Sequence, residues 1–161
     1  MSLRIQLSTL ALGGTLLMGG LFGAASFAET TANAEAAIQQ RQDNFGQIGE
    51  SFKTIRDQVR ADAPDMAAIS NAAATINKLA QELQTWFPAG TGPETGVETE
   101  ALPVIWQDTS GFASAADRLV DESGKFLALT KGGDARQVAG GIRGLGGACK
   151  NCHDQFRLDD D

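Results

Sequence analysis

The sequence predicts an all-α protein, an antiparallel up-and-down bundle of four helices. Four segments carry apolar residues at alternating spacings of three and four, and short breaks rich in Gly, Pro and Asp separate them. No segment shows the alternating pattern of a β-strand. Each periodic segment has one apolar face that must be buried against neighbours, so four of them in one chain predict a bundle.

The N-terminal segment 1–28 has the pattern of a secretory signal peptide. Arg4 precedes a long apolar run without acidic residues, and Ser26 and Ala28 form a small-residue cleavage pattern. We therefore predict cleavage after Ala28 and a mature four-helix-bundle domain of residues 29–161. A membrane anchor is the alternative, since the apolar run approaches the length of a span, but its glycines favour cleavage.

The acidic composition limits the classes of partner. The formal net charge is −7 and becomes −8 when the signal peptide, which contains Arg4, is removed. This charge argues against nucleic acid, and against an anionic membrane surface, as a partner of the mature protein. Cys149 and Cys152 are too close in the chain to form an unstrained disulfide with each other, so we expect them to have another role.

The first two helices are predicted to form an antiparallel hairpin. They cover residues 32–60 and 66–87, and the break between them offers Asp62 as the N-cap of the second helix with Pro64 in its first turn. The apolar seams are Ile38, Phe45, Ile48, Phe52, Ile55 and Val59 in the first helix and Met66, Ile69, Ala72, Ile76, Leu79, Leu83 and Trp86 in the second.

The second half of the chain contains a long connection and two more helices. Residues 88–103 are rich in Gly, Pro and Thr and predict a surface connection, after which the patch 104–106 is expected to close one end of the core. Asp108 or Ser110 is the expected cap of the third helix, and Asp134 that of the fourth. The seams are Phe112, Ala116, Leu119 and Phe126, then Val138, Ile142, Leu145, Cys149, Cys152 and Phe156.

The stretch CKNCH, residues 149–153, contains both cysteines and the only histidine. Cys-x-x-Cys-His is the attachment pattern of c-type haem. The two thiols form thioether bonds to the porphyrin vinyl groups, and the adjacent imidazole ligates the iron. On a helix Cys149, Cys152 and His153 are neighbours, so we predict one covalent haem c with His153 as its axial ligand.

Other interpretations of this helix fit less well. A structural zinc site needs four ligands, and the sequence has no second ligand pair. A thioredoxin-like dithiol belongs beside a strand-helix-strand pattern, which the sequence lacks. Five glycines between residues 140 and 147 each cost up to about 1 kcal/mol relative to alanine. Close approach of the macrocycle or of a neighbouring helix would explain them, and a kinked or frayed helix is the alternative.

The sixth iron position lacks an obvious ligand. Electron-transfer haems fill it with methionine or a second histidine. Met1 and Met18 leave with the signal peptide, so Met66 is the remaining candidate, and a methionine on an apolar seam is more often a core residue. We therefore predict five-coordinate iron with an apolar distal face.

The position of the haem motif, on the last of four helices, resembles cytochrome c′ of the class II c-type cytochromes. The resemblance extends to RQDNFGQIG in the first helix and to FPAGTG, ALPVIWQD and GF before the third, and it covers nearly the whole mature chain. It implies that Arg41 and Gln42 lie near a haem propionate. Arg41 also falls on the apolar seam, where an unpaired charge is costly, although a side chain that extends to water is the alternative.

The resemblance also assigns a residue to each face of the haem. Four residues after Arg41 many relatives carry a methionine that ligates or covers the iron, and here Phe45 occupies that position, which favours the five-coordinate, high-spin branch with Phe45 as distal cover. An ordinary core role for Phe45 is compatible with this. Arg157 matches the arginine beside the proximal face, where it tunes His153 or meets a bound gas; a solvent-exposed cation at a helix C-terminus is the alternative.

These observations predict an exported, periplasmic c-type cytochrome that binds NO or CO at an open iron position and is reduced and oxidised. Bound oxygen would lack a hydrogen-bond donor. The alternative is a periplasmic electron-transfer carrier with six-coordinate haem and a redox partner. No distal acid or base is visible, so we predict no enzymatic activity, a peroxidase-like side reaction being the weaker possibility. The resemblance further implies a possible homodimer through the first two helices.

Overall fold

The computed structural model describes residues 22–132 and 134–159, with side chains from residue 32 onward. Most of the predicted signal peptide, residues 1–21, lies outside the described residues. The described chain forms the predicted antiparallel four-helix bundle, in which a short additional helix precedes the third long one. The helices are α1 (Phe22–Arg60), α2 (Met66–Glu82), α3 (Val104–Gln107), α4 (Thr109–Lys131) and α5 (Ala135–Phe156).

Helix α1 ends at Arg60 as predicted, and its described part, which starts at Phe22, extends ten residues ahead of the predicted start. Ile38 and Ile55 on its inner face are almost fully buried. None of the helices in the part of the chain that is described is both long enough and apolar enough to cross a membrane.

The N-cap of α2 is a different aspartate from the predicted one. Asp65, not Asp62, is the N-cap: its Oδ1 accepts hydrogen bonds from the backbone N–H groups of Ala67 (2.9 Å) and Ala68 (3.0 Å). Pro64 therefore precedes the cap instead of lying in the first turn. The aspartate next to the first apolar seam residue reaches the free N–H groups, and the earlier aspartate is too distant to do so.

The connection between α2 and α3 is less exposed to solvent than predicted. A 3-10 turn, Leu83–Trp86, continues α2, and a second one, Pro93–Thr95, lies in the connection. Thr91 and Gly92 are buried, although most of their neighbours are exposed or half-buried. They are buried because the connection folds over Arg41 of α1, whose guanidinium donates hydrogen bonds to the carbonyl oxygen of Thr91.

Helix α3 closes one end of the core, as expected. Ile105 is buried, and the indole Nε1 of Trp106 donates to the carbonyl oxygens of Phe87 (3.2 Å) and Pro88 (3.1 Å). Asp108 then caps α4 by accepting from the backbone N–H of Gly111. The prediction that residues 104–106 close one end of the core is therefore confirmed. Of the two residues predicted as the N-cap of α4, it is Asp108 that caps the helix.

Helix α5 is continuous despite its glycines. Asp134 caps it, as predicted, by accepting from two backbone N–H groups. A Cβ at Gly141 would lie 3.1 Å from Phe126 of α4, and one at Gly146 would lie 3.2 Å from Phe52 of α1. Close approach of neighbouring helices therefore explains these two glycines.

The ends of the helices define which residues share a site. The rings of Phe112 and Phe156 lie 5.4 Å apart, which places the start of α4 beside the end of α5. At the opposite end, the hydroxyl of Thr130 donates to Ser70 Oγ at 3.1 Å, which places the end of α4 beside the start of α2. We call the first of these the motif end, because it contains residues 149–153. The core between the two ends includes Ile38, Ile55, Ile69, Ile76, Leu83, Phe126, Val138 and Leu145, all almost fully buried.

Candidate haem site

The two cysteines lie on the inner side of α5 near its end. Both side chains are half-buried, pack against the hydrophobic core and are free thiols. Burial raises the pKa of Cys149, and burial together with the neighbouring Cys149 raises the pKa of Cys152 to about 11. Neutral thiols one helical turn apart thus line the core side of the last helix.

His153 follows directly and points more toward solvent than the cysteines do. Its surface is largely exposed, yet partial burial, followed by the nearby charge of Arg157, lowers the pKa of its imidazole. The neutral imidazole, which is the form that ligates iron, is therefore favoured. Within the described part of the chain, no three histidine, cysteine or acidic side chains form a group that could hold a metal ion.

Aromatic rings from three helices and a turn surround the motif end. Phe45 lies half-buried on α1 and contacts Trp86 and Phe87, at centroid distances of 5.4 and 6.2 Å. Phe87 in turn contacts Phe112 at 4.7 Å, and Phe112 contacts Phe156 at the end of α5. Edge contacts of this kind are favourable between rings. The surroundings of Phe45, which the resemblance places on the distal side, are thus apolar and continuous with the core.

Arg41 is a buried cation at this end of the bundle. Only 2% of its surface is exposed. Its Nη1 and Nη2 both donate to the carbonyl oxygen of Thr91 at 3.2 Å, Nη2 donates to the hydroxyl of Thr99 at 2.9 Å, and the guanidinium lies 4.6 Å from the ring centroid of Phe87. Burial lowers the pKa of Arg41, and the charge of Glu94 partly opposes this. The alternative of an arginine head in water is therefore wrong.

Gln42 and Arg157 anchor the end of the long connection. The side chain of Gln42 is exposed and donates to the carbonyl oxygen of Glu98 at 3.1 Å. Arg157 follows α5, and its Nε donates to a carboxylate oxygen of Glu100 in an ion pair. Arg157 therefore has an acidic partner and is not simply a solvated cation at a helix end.

The structure brings most of the predicted site residues together and leaves one apart. Arg41, Phe45 and the cysteines lie at the motif end, whereas Met66 is half-buried at the opposite end of α2, packed against the core. Sequence reasoning missed Thr91, Thr99 and Glu100. The seam position of Arg41 signals a need for acceptors, but nothing in the sequence says which part of the connection supplies them.

The residues present fit a covalently attached haem. Two free thiols one turn apart, followed directly by an imidazole, are the donor set that the cofactor needs. Among the described residues no carboxylate lies within ion-pair distance of Arg41, so this buried charge is suited to an anionic propionate. Neither of the two described surface clefts, of about 320 and 240 Å³, is lined by motif residues. The candidate site is therefore defined by its ligand residues.

Comparison with known proteins agrees with this geometry. The family model for cytochrome C′ matches residues 36–157. Cytochrome c′ of Rubrivivax gelatinosus is 35% identical over 122 residues, which cover 75% of this chain and 93% of the relative.

Solved structures give the same result. The crystal structure of cytochrome c′ from Rubrivivax gelatinosus matches with a TM-score of 0.70 and 34% identity, over 77% of this chain and 96% of the other. A nitric oxide complex of a variant cytochrome c prime from Alcaligenes xylosoxidans has a TM-score of 0.70 and 26% identity, over 78% and 97%. The protein is a c-type cytochrome with one covalent haem c and the two cysteines needed for its attachment. With this fold, this motif and these relatives, the chain belongs to the cytochrome c′ family.

Proposed function

We propose that the mature protein is a periplasmic cytochrome whose iron is five-coordinate and binds NO or CO at the open position. In this proposal Cys149 and Cys152 form the thioethers, and His153 is the axial ligand. The bound haem supplies the iron to which the gas binds. The protein chain holds the cofactor, provides one ligand and shields the opposite face.

The lack of a second histidine or methionine that could ligate the iron is the observation that carries this proposal. His153 is the only histidine in the sequence, and Met66 is the only methionine outside the predicted signal peptide. Helix α2 has 17 residues, which at 1.5 Å per residue separate its two ends by about 25 Å. Because Met66 begins this helix and the aromatic rings of the motif end follow it, the methionine is too far away to ligate the iron.

The apolar distal cover favours particular gases. Phe45 cannot ligate iron, and the contacts of its ring with Trp86 and Phe87 keep apolar surface on that side. Bound oxygen gains from a distal hydrogen-bond donor, whereas NO and CO bind ferrous iron without one. The nitric oxide complex of the Alcaligenes xylosoxidans relative supports this choice of ligand.

Location and partners extend the proposal. The pattern of residues 1–28 supports export and removal of the signal peptide. Arg41 and Gln42 are proposed to hold the propionate side and Arg157 the proximal side. A periplasmic redox partner and a homodimer through α1 and α2 complete the proposal, and we assign no enzymatic activity.

An absorption spectrum of the purified holoprotein tests the coordination state. We expect a high-spin spectrum as isolated, and a shift of the Soret band when CO is added to the reduced protein. A low-spin spectrum that CO leaves unchanged would contradict the proposal and support an electron carrier with six-coordinate haem. In that case a Met66→Leu variant should keep the low-spin spectrum, because Met66 lies at the far end of α2.

A further inference from the structure

Two consecutive residues of the long connection bind the two arginines of the site. Thr99 accepts a hydrogen bond from Nη2 of Arg41 at 2.9 Å, and Glu100 forms an ion pair with Arg157. Arg41 belongs to the first helix and Arg157 follows the last one. The dipeptide Thr99–Glu100 therefore binds two arginines that belong to the first helix and to the segment after the last helix.

Backbone hydrogen bonds fix this dipeptide to the end of α5. The N–H of Leu158 donates to the carbonyl of Glu100 at 2.8 Å, and the N–H of Leu102 donates to the carbonyl of Phe156 at 3.0 Å. Ala101 and Arg157 are paired as an isolated antiparallel bridge. Because these hydrogen bonds fix the backbone around Thr99 and Glu100, their side chains have few positions available. The two arginines that they bind are therefore held in place.

The burial of each arginine decides what its contact contributes. Arg41 is buried, so a guanidinium N–H that lost the Thr99 hydroxyl would have no water to replace it. Arg157 and Glu100 are both partly exposed, and exposed ion pairs contribute little to stability. The Glu100 pair is therefore better suited to orienting a charge than to stabilising the fold.

We propose that Thr99 and Glu100 are positioning residues for the haem: Thr99 orients Arg41 on the propionate side, and Glu100 orients Arg157 beside His153. This inference rests on the proposed roles of Arg41 and Arg157. The carboxylate of Glu100 acts on the site in two ways: it orients Arg157, and its own negative charge lies near His153, as does that of Asp154. Removal of the Glu100 charge makes the surroundings of His153 more positive, which disfavours the oxidised iron.

The Glu100→Gln variant of the holoprotein tests the proximal half. We expect a higher midpoint reduction potential and a shifted iron–histidine stretching band in the resonance Raman spectrum of the reduced protein. Glu98→Gln removes the same charge from the same exposed segment and is the matched control, with a smaller shift in both measurements. In an Arg157→Gln background, the effect of Glu100→Gln on the iron–histidine band should fall to that of the control, because no guanidinium is left to orient, whereas the direct charge effect on the potential persists. A band shift of equal size in both backgrounds would overturn the proximal half of the proposal.

The Thr99→Val variant tests the distal half. It keeps the shape of the side chain but removes the hydroxyl, so we expect Arg41 to lose its fixed orientation and the midpoint potential to shift in the direction that Arg41→Ala shifts it. Thr99→Ser retains the hydroxyl and should restore the wild-type potential. A Thr99→Val potential equal to that of the wild type would contradict this half.

The arginine variants separate the two levels of inference. Arg41→Ala and Arg157→Gln variants with wild-type potentials would contradict the proposed roles of the arginines themselves. If the arginine variants shift the potential and the Thr99 and Glu100 variants do not, the positioning roles alone are wrong.

Discussion

The ring of Phe45 meets the ring of Trp86 edge to face, with centroids 5.4 Å apart and planes inclined at 88°. This contact joins α1 to the turn that continues α2, at the end of the bundle that contains the haem motif. A small change at Phe45 therefore opens space on the proposed distal side without altering the ligand residues.

Replacing Phe45 with alanine should accelerate gas binding. Removing the ring lessens distal crowding, so stopped-flow association of CO with the reduced protein should be faster than in the wild type. Phe45 is half-buried, so the free energy of unfolding should fall by at most about 3 kcal/mol. Val59→Ala removes a half-buried apolar side chain from the opposite end of α1 and is the control. An association rate equal to that of the control would refute the role of Phe45.

Replacing Arg41 with alanine should affect both redox chemistry and stability. Loss of a positive charge near the propionate favours the oxidised iron, so the midpoint potential should fall. The carbonyl of Thr91 loses its buried donor, and an unpaired buried acceptor costs about 1–3 kcal/mol in unfolding free energy. Arg56→Ala removes an exposed arginine from the same helix and should leave both quantities nearly unchanged. Spectroelectrochemistry and denaturant unfolding measure the two effects, and an unchanged potential would count against the propionate role.

Two adjacent glycines of α5 should respond oppositely to alanine. A Cβ at Gly140 meets nothing within 4 Å, so Gly140→Ala should gain about 0.5–1 kcal/mol from helix propensity alone. A Cβ at Gly141 would lie 2.6 Å from Leu129 and 3.1 Å from Phe126, and overpacking of this kind costs about 1–3 kcal/mol. Thermal unfolding should therefore give a higher Tm for the first variant and a lower Tm for the second. Two variants with the same sign of change would show that the α4–α5 contact is not tight.

The cap of α4 should make a stability contribution that depends on pH. Hydrogen bonds from Gly111 and Ser110 hold the pKa of Asp108 below its usual value. A carboxyl group whose pKa is lower in the folded state stabilises the fold above its unfolded pKa of about 4 and loses that contribution as pH falls through the folded pKa. The Tm of Asp108→Asn should therefore lie below that of the wild type at neutral pH, and the two should converge in acid.

A matched aspartate provides the control for this pH effect. Asp62 lies in the break before α2 and caps no helix, so Asp62→Asn should leave the Tm and its pH dependence unchanged. A difference between Asp108→Asn and the wild type that persists at low pH would show that packing, and not the ionised cap, accounts for it.

The bundle and the haem motif could be predicted from the sequence because both are local patterns. The seams identified the buried face of every long helix, and Cys149, Cys152 and His153 follow from their spacing alone. The start of α2 was predicted less well, because two aspartates precede it and only the folded geometry shows that Asp65 reaches the free N–H groups.

Contacts distant in sequence could not be predicted in this way. The burial of Arg41 was expected, but its partners Thr91 and Thr99 lie 50 and 58 residues away in a connection without periodicity. The pairing of Glu100 with Arg157 spans 57 residues. Such partners depend on how the connection crosses the end of the bundle, and composition carries no information about that path.

The place of the haem motif in the last turns of α5 has a consequence for how the protein matures. A chain synthesised from its N-terminus completes α1, α2 and α4 before the cysteines, and domains begin to fold while the remaining chain is still arriving. Once α5 docks, its thiols are half-buried and their pKa values are raised. The thiols are therefore most accessible to the cofactor before α5 docks, so attachment competes with closure of the bundle.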